Sequence, residues 1–257
     1  MNKRKVNIDI REFPEALREL LRSGEIYDSS CHSSAETLYC DSGYYIKIDR
    51  KDALSREAAL CQRFHRMGLG VEFVDYLSED RDYLVTKEAR GQALHHYQED
   101  PQLLCRALAG VLRELHSRPV ADAPESVLLT KYRQIAAGER PKGDFDAIIR
   151  KYGFALSSED EAWELVQTNR DSLKGNTFIH GDACLPNIIL DGDKLSAFID
   201  VGNAGAGDKH MDLFWAVWSL RYNLKTDAYG DYFLDQYGRE NFDYEMLRVV
   251  SAFEVFG

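Results

Sequence analysis

The chain has 257 residues, of which 44% are hydrophobic and 29% are charged, so its composition is that of an ordinary globular protein with a substantial core. Its formal net charge of −11 argues against nucleic acid as a partner, because phosphate binding needs a basic surface. No apolar run approaches the roughly 20 residues that span a bilayer, so the sequence predicts no membrane association.

The N-terminus and the cysteines predict a cytoplasmic protein. The first residues are too polar for a secretory signal. The five cysteines are an odd number, widely scattered and without a C-x-x-C pair, which favours reduced thiols over disulfides or a metal site.

Residues 11–87 predict a small antiparallel sheet with one inserted helix. Apolar residues at helical spacing indicate helices over 11–22 and 52–67, and alternating runs indicate strands over 36–40, 44–49, 72–77 and 83–87. In the second of these strands, Ile46 and Ile48 face one side. Lys47 faces the other and points away from the apolar face.

From residue 89 onward, helical patterns dominate, so we expect two domains, 1–88 and 89–257. The predicted helices cover 101–116, 128–137, 145–151, 157–173, 208–224, 227–237 and 242–256. The second domain is therefore larger and mainly helical.

Three polar residues follow short apolar runs in the second half of the chain: Asp182, Asn187 and Asp200. Phosphoryl transfer needs a cation on the phosphates, a metal with oxygen ligands and a base for the attacking hydroxyl. Lys47 could supply the cation with Glu57 as its partner. Asp182 is then the candidate base, and Asn187 and Asp200 are candidate Mg²⁺ ligands.

Simpler interpretations exist for several of these residues. Lys47 and Glu57 could form an ordinary surface pair, worth no more than about 1 kcal/mol. His180 is expected to fix the loop by hydrogen bonding, Asp212 to brace it from within a helix, and Asp208 to cap that helix. The cluster of glycines at 202, 205 and 207 lacks G-x-G-x-x-G spacing and is weak evidence for a nucleotide site.

The stretch from His180 to Asn187, H-G-D-A-C-L-P-N, is followed by F-I-D-V-G at 198–202 and D-K-H-M-D at 208–212. These motifs closely resemble those of the aminoglycoside phosphotransferases, especially the 3'-phosphotransferase branch, and the resemblance covers nearly the whole chain. It implies an α+β, protein-kinase-like fold of two lobes. The N-terminal lobe would be a small antiparallel sheet with one helix, and the C-terminal lobe would be larger and helical.

The resemblance also implies a role for each matching residue. Asp182 is the catalytic base, Asn187 and Asp200 bind Mg²⁺, and Lys47, supported by Glu57, contacts the nucleotide phosphates. The resemblance further implies that the Lys87 carbonyl and the Ala89 N–H contact the adenine. The serine-rich 30–34 loop, with Ser33 and Ser34, would contact the phosphates.

Departures from the family pattern concern the substrate. Asn203 stands where many members have arginine, and Phe253 where many have aspartate, whereas Glu254 and Phe256 remain and Gly257 extends the terminus. Family members bind the antibiotic's ammonium groups with acidic side chains and the C-terminal carboxylate. The resemblance therefore implies that Asp182, Asn203, Glu254, Phe256 and Gly257 contact the substrate. Residues 143–161 would form a flap whose acidic residues could compensate for the missing aspartate.

We expect a monomeric or weakly dimeric kinase that uses ATP or GTP with Mg²⁺ to phosphorylate an aminoglycoside, at the 3'-hydroxyl, giving antibiotic resistance. One alternative is a related kinase for another antibiotic, an amino alcohol or a sugar, which Asn203 and Phe253 favour. A second is a nucleotide-binding module without activity. A metal-dependent hydrolase built on His180 and Asp182 lacks a second histidine at ligand spacing.

Overall fold

The structure is a computed structural model that describes residues 3–30, 35–145, 154 and 156–257. The chain divides into two compact units. The first comprises residues 1–90 with 196–202, and the second comprises residues 91–195 with 203–257. The segment 196–202, which carries Asp200, therefore packs with residues much earlier in the chain.

In the described residues, the first unit contains six strands: β1 (Arg4–Lys5), β2 (Ile26–Asp28), β3 (Glu36–Cys40), β4 (Tyr44–Arg50), β5 (Phe73–Ser78) and β6 (Arg81–Lys87). They form one antiparallel sheet in the order β1-β2-β3-β4-β6-β5. The four predicted strands correspond to β3 through β6. The sequence did not predict β1 and β2, because strands of two and three residues are too short to show a period-2 alternation.

The core of the first unit lies on one face of this sheet, as the alternation in β4 predicted. Ile46 and Ile48 are 0% and 1% exposed, whereas Lys47 between them is only partly buried. Apolar residues of β2, β3, β6 and the helix before β2 complete the core: Leu17, Leu21, Ile26, Leu38, Cys40, Tyr83 and Val85.

The first helix is shorter than predicted. A 3-10 turn at Ile10–Glu12 precedes helix α1 (Glu15–Arg22), and Pro14 stands at the N-cap position with an extended ψ of 142°. The prediction that the helix starts at residue 11 was therefore wrong, because Pro14 precedes the first helical residue rather than lying in the first turn.

Helix α2 (Ser55–Arg66) is inserted between β4 and β5 and presents Ala58, Cys61 and Phe64 to the interior. A buried carboxylate holds the chain just before this helix. Asp82 on β6 accepts from the backbone N–H of Asp52 at 3.0 Å, from that of Leu54 at 2.8 Å and from the Tyr76 hydroxyl at 2.9 Å. The carboxylate thus ties the start of α2 to the sheet.

Asp82→Asn is expected to destabilise the protein in a pH-dependent way. Burial alone would raise the pKa of Asp82, but donors including the Leu54 and Asp52 N–H groups outweigh it and lower the pKa below its ordinary value. The stabilisation that this carboxylate provides is therefore fully present above the pKa that Asp82 has in the unfolded protein. It is lost as pH falls through the lower pKa that Asp82 has in the folded protein. We expect a loss of about 2 kcal/mol at neutral pH. Urea denaturation measures the free energy of unfolding of both proteins, and the difference between Asp82→Asn and wild type should become smaller at acid pH. A difference that does not change with pH would contradict this account.

The second unit is mainly helical, and its described part carries five short strands. Its helices are α3 (Pro101–His116), α4 (Val127–Ala137), α5 (Glu159–Thr168), α6 (Lys209–Leu224), α7 (Gly230–Tyr237) and α8 (Tyr244–Val255). Its strands are β7 (Gln92–Ala93), β8 (Thr177–Ile179), β9 (Ile188–Asp191), β10 (Lys194–Phe198), whose last residues belong to the first unit, and β11 (Gly205–Gly207). One sheet has the order β10-β9-β7, and β8 pairs antiparallel with β11.

The six predicted helices that lie in the described part of the second unit are present, with three late starts and one early end. Helix α5 begins at Glu159 rather than 157. Helix α7 begins at Gly230 rather than 227, and α8 at Tyr244 rather than 242. Helix α5 ends at Thr168 rather than 173, because the Asn169 side-chain amide bonds the Leu165 carbonyl and the chain turns there. Of the predicted helix 145–151, all but Phe145 lies outside the described residues.

Aromatic side chains fill the core of the second unit. Phe178, Phe214, Phe233 and Phe253 are each no more than 1% exposed.

Within the described residues, no helix is long and apolar enough to cross a membrane.

Candidate active site

The first unit surrounds one lysine with two carboxylates. Lys47 projects from β4, and its Nζ lies 2.9 and 2.8 Å from the two carboxylate oxygens of Glu57 on α2. The same Nζ lies 2.8 Å from Oδ1 of Asp200. Both contacts lie within the first unit, because residues 196–202 pack with it.

The charges in this cluster are coupled. Burial alone would lower the pKa of Lys47, but the nearby Glu57 and Asp200 carboxylates outweigh it and raise the pKa above its ordinary range. Burial raises the pKa of Glu57, while Lys47 acts in the opposite direction. The Lys47 ammonium is therefore held in a fixed position and remains charged at neutral pH.

Asp200 is the most exposed member of this cluster. Its side chain is 55% exposed, against 20% for Lys47 and 11% for Glu57. Its φ of 55° lies in the left-handed region, which aspartate tolerates better than most residues. Asp200 thus pairs with the lysine through one oxygen and presents a carboxylate that solvent reaches.

In the second unit, the loop after β8 brings Asp182 and Asn187 together. The Asn187 amide nitrogen donates to Oδ2 of Asp182 at 2.9 Å and to the Asp182 carbonyl at 3.1 Å. The backbone N–H of Asp182 donates to Nδ1 of His180 at 3.2 Å. Because its nitrogen is used on Asp182, the Asn187 amide can offer its oxygen to another group.

The backbone conformation and close packing at position 181 require a glycine. Its φ of 78° favours glycine, and an added Cβ would lie 2.6 Å from the carbonyl oxygen of Asn203. The backbone of Asn203 therefore packs directly against the loop that carries Asp182.

Asp212 anchors this loop from α6. It is 0% exposed, and its two oxygens each accept at 2.8 Å from the backbone N–H groups of His180 and Gly181. Nε2 of His116 lies 3.1 Å from Oδ2 of Asp212, and Nδ1 of His116 lies 2.8 Å from the Tyr237 hydroxyl. Sequence reasoning singled out Asp212 as a brace but gave no role to His116 or Tyr237, which join it from two other helices.

Asp212→Ala is expected to lower the free energy of unfolding by about 3 kcal/mol, because two buried N–H groups and His116 lose their acceptor. Chemical denaturation measures this loss, with Asp191→Ala as the control at an exposed aspartate in the same unit. Equal stability of the two variants would contradict the anchoring role.

Glu254, a predicted substrate contact, is 4% exposed. Its Oε1 accepts from the Tyr132 hydroxyl and, at 2.9 Å, from the Trp215 indole N–H. Burial raises the pKa of Glu254, while these two donors act in the opposite direction. Phe253 stacks on Tyr132 with ring centroids 4.8 Å apart. Tyr132 and Trp215 lie far from Glu254 in the chain, and the sequence did not identify them as its hydrogen-bond donors.

At the C-terminus, Phe256 is buried, and its ring lies 5.3 Å from that of Trp163. Gly257 is exposed. Of the acidic residues in the predicted flap, Glu159, Asp160 and Glu161 already have basic partners. Arg140 pairs with Glu159 and Asp160, and Arg248 pairs with Glu161.

The predicted adenine contacts lie at the end of β6 and just beyond it. Lys87 is the last residue of β6 and pairs with Tyr44, and its ammonium lies 2.7 Å from Glu72. Ala89 follows two residues later. Ser33 and Ser34 lie outside the described residues, while the hydroxyl of neighbouring Ser30 accepts from the Thr37 N–H at 2.9 Å.

Comparison with known proteins identifies close relatives. A family model described as the phosphotransferase enzyme family matches residues 36–250. A protein of Lactococcus lactis subsp. lactis (strain IL1403), described as a probable aminoglycoside 3'-phosphotransferase, is 38% identical over 265 residues. That match covers 100% of this chain and 99% of the relative.

Two solved structures share the fold. An aminoglycoside-3'-phosphotransferase of type VIII has a TM-score of 0.63 at 20% identity, covering 90% of this chain and 91% of that one. The streptomycin–ATP–APH(2'')-IIa ternary complex has a TM-score of 0.59 at 18% identity, covering 95% of this chain and 86% of that one. The predicted α+β fold class is confirmed.

Proposed function

The chain belongs to the phosphotransferase enzyme family, and we propose that it is a kinase that transfers the γ-phosphoryl group of ATP or GTP to the 3'-hydroxyl of an aminoglycoside. Such a transfer inactivates the antibiotic and would give resistance. The observation that carries this proposal is the Lys47 ammonium held within 2.9 Å of Glu57 and Asp200. The Lactococcus relative, matched over the whole chain, supports the aminoglycoside as substrate.

Lys47 would bind the nucleotide phosphates. Glu57 is nearly buried and bonds the ammonium through both oxygens, so the cation is oriented before the nucleotide arrives. A cation fixed in advance stabilises the charge that develops on the transferring phosphoryl group without reorganising during the reaction. The Lys87 carbonyl and the Ala89 N–H would hold the purine, and Ser33 and Ser34 would cover the phosphates.

The donor chemistry of Asn187 and Asp200 fits Mg²⁺. This ion prefers oxygen ligands and is commonly held by one or two protein groups together with substrate phosphates. Asp200 supplies an exposed carboxylate, and Asn187 has its amide nitrogen on Asp182, which frees the oxygen. Bound there, Mg²⁺ would neutralise phosphate charge.

Asp182 would accept a hydrogen bond from the substrate hydroxyl and orient that hydroxyl toward the γ-phosphorus. Asn187 fixes one carboxylate oxygen of Asp182 at 2.9 Å, and Asp212 fixes the preceding backbone. His180 and Asp212 thus support the loop without contacting the reactants. Positioning and charge stabilisation supply most of the acceleration in this class of reaction.

A cationic substrate suits the charge of the chain. The net charge of −11 attracts a polyamine, and the residues proposed to contact it include Glu254 and Gly257. Asn203 and Phe256 would complete the substrate contacts. Because Tyr132 and Trp215 both bond Oε1 of Glu254, we expect the other oxygen to face the substrate amine.

We also propose a cytoplasmic location and a monomeric or weakly dimeric state. In the described part of the chain, the cysteines at 40, 61, 105 and 184 are free thiols. Reduced thiols are the usual state in the cytoplasm.

Release of ADP or GDP tests the function. The purified protein is incubated with Mg²⁺, with ATP or GTP, and with each member of a panel of aminoglycosides, amino alcohols and sugars. We expect nucleotide-dependent release with aminoglycosides alone. Release with an amino alcohol or a sugar instead, or silence across the panel, would contradict the proposal.

A further inference from the structure

A buried serine lies beneath the loop that carries Asp182. Ser219 on α6 is 1% exposed, and its hydroxyl oxygen accepts from the Leu185 backbone N–H at 3.0 Å and from the Asn223 amide at 3.2 Å. The Asn223 amide also donates to the Ser219 carbonyl at 2.8 Å, which fixes its orientation. Two accepted bonds occupy both lone pairs of the hydroxyl oxygen, so its proton is left to donate.

Ser219 also fixes the turn that carries Asn187. The 3-10 turn Leu185–Asn187 begins at the residue whose N–H bonds the Ser219 hydroxyl. The backbone N–H of Cys184 donates to the Asp182 carbonyl at 2.8 Å, and the Asn187 side-chain amide donates to the Asp182 carboxylate. The Ser219 hydroxyl thus supports the turn whose Asn187 side chain holds the Asp182 carboxylate.

We propose that Ser219 is a positioning residue for Asp182, acting through the Leu185 N–H and the turn that carries Asn187. This inference rests on the proposed function. Ser219 is buried beneath the loop, so its loss should disturb the orientation of the carboxylate more than the binding of either substrate. The kinetic signature is a lower kcat with little change in KM.

Two sets of variants test this in the full-length protein with ATP and the best aminoglycoside. Ser219→Ala should lower kcat about tenfold, as the loss of one buried hydrogen-bonding group predicts, with both KM values within about twofold. Asn223→Ala removes a donor that holds the Ser219 hydroxyl, and it should lower kcat in the same direction by a smaller factor. Ser251→Ala is the matched control, because Ser251 is 0% exposed and its hydroxyl has no hydrogen-bond partner in the described residues. Its kcat should equal that of wild type.

Hydrogen–deuterium exchange of peptides covering 180–190 gives a readout that does not depend on activity. Ser219→Ala should raise exchange there, and Ser251→Ala should not. Wild-type kcat in Ser219→Ala, or unchanged exchange in that variant, would overturn the inference. If Ser219→Ala does not fold, the kcat of Asn223→Ala and its exchange over 180–190 decide alone: wild-type values for both would overturn the inference. If the wild-type protein releases no ADP, the proposed function fails, and the exchange still decides whether Ser219 holds the loop.

Discussion

Asp182→Ala is expected to lower kcat about a thousandfold while leaving nucleotide affinity within about threefold of wild type, because the hydroxyl of the substrate loses the group that orients it. Asn187 also loses a hydrogen-bond partner at 2.9 Å. Steady-state release of ADP and the equilibrium binding of a fluorescent nucleotide measure the two effects separately.

Two further substitutions complete this experiment. Asp182→Asn keeps the size of the side chain and removes its charge, so it should lose nearly as much kcat as Asp182→Ala. Asp193→Ala, at an exposed aspartate between β9 and β10, should retain wild-type activity. Turnover within about tenfold of wild type in Asp182→Ala would rule out Asp182 as the base.

Lys47→Met should lower kcat/KM for the nucleotide about a hundredfold, because the phosphates lose a charge-assisted contact and a preorganised cation. The substitution also leaves the Glu57 and Asp200 carboxylates without the ammonium that bonds both. Methionine fills a similar volume, so the change is mainly one of charge.

Lys51→Met is the matched control, since Lys51 follows β4 and is exposed. Its kcat/KM should equal that of wild type. Thermal unfolding of both variants distinguishes a lost phosphate contact from a lost fold. If Lys47→Met and Lys51→Met had the same kcat/KM, Lys47 would not be the phosphate ligand.

Local sequence patterns predicted much of the fold and several contacts in each unit. The alternation of Ile46 and Ile48 determined which way Lys47 points, because side chains in a strand alternate between faces. Asp182 and Asn187 are only five residues apart in one loop, so their meeting needs no information about the rest of the chain.

Contacts between distant segments could not be predicted in the same way. Lys47 and Asp200 are 153 positions apart, and the sequence suggested a role for each without showing their direct ion pair. The partners of Glu254 are separated from it by 122 and 39 positions, so the burial of this carboxylate was not visible. Short elements were also missed, because β1 has only two residues and cannot display a period.

The measurement that tests the central claim most directly compares two aminoglycosides that differ only at the 3'-position, one with a hydroxyl and one without. ADP release is followed for both with the wild-type protein, with Asp182→Asn as the inactive reference. We expect release with the 3'-hydroxy compound and only the reference level with its 3'-deoxy analogue. Equal release with the two compounds, or release with neither, would contradict transfer to the 3'-hydroxyl.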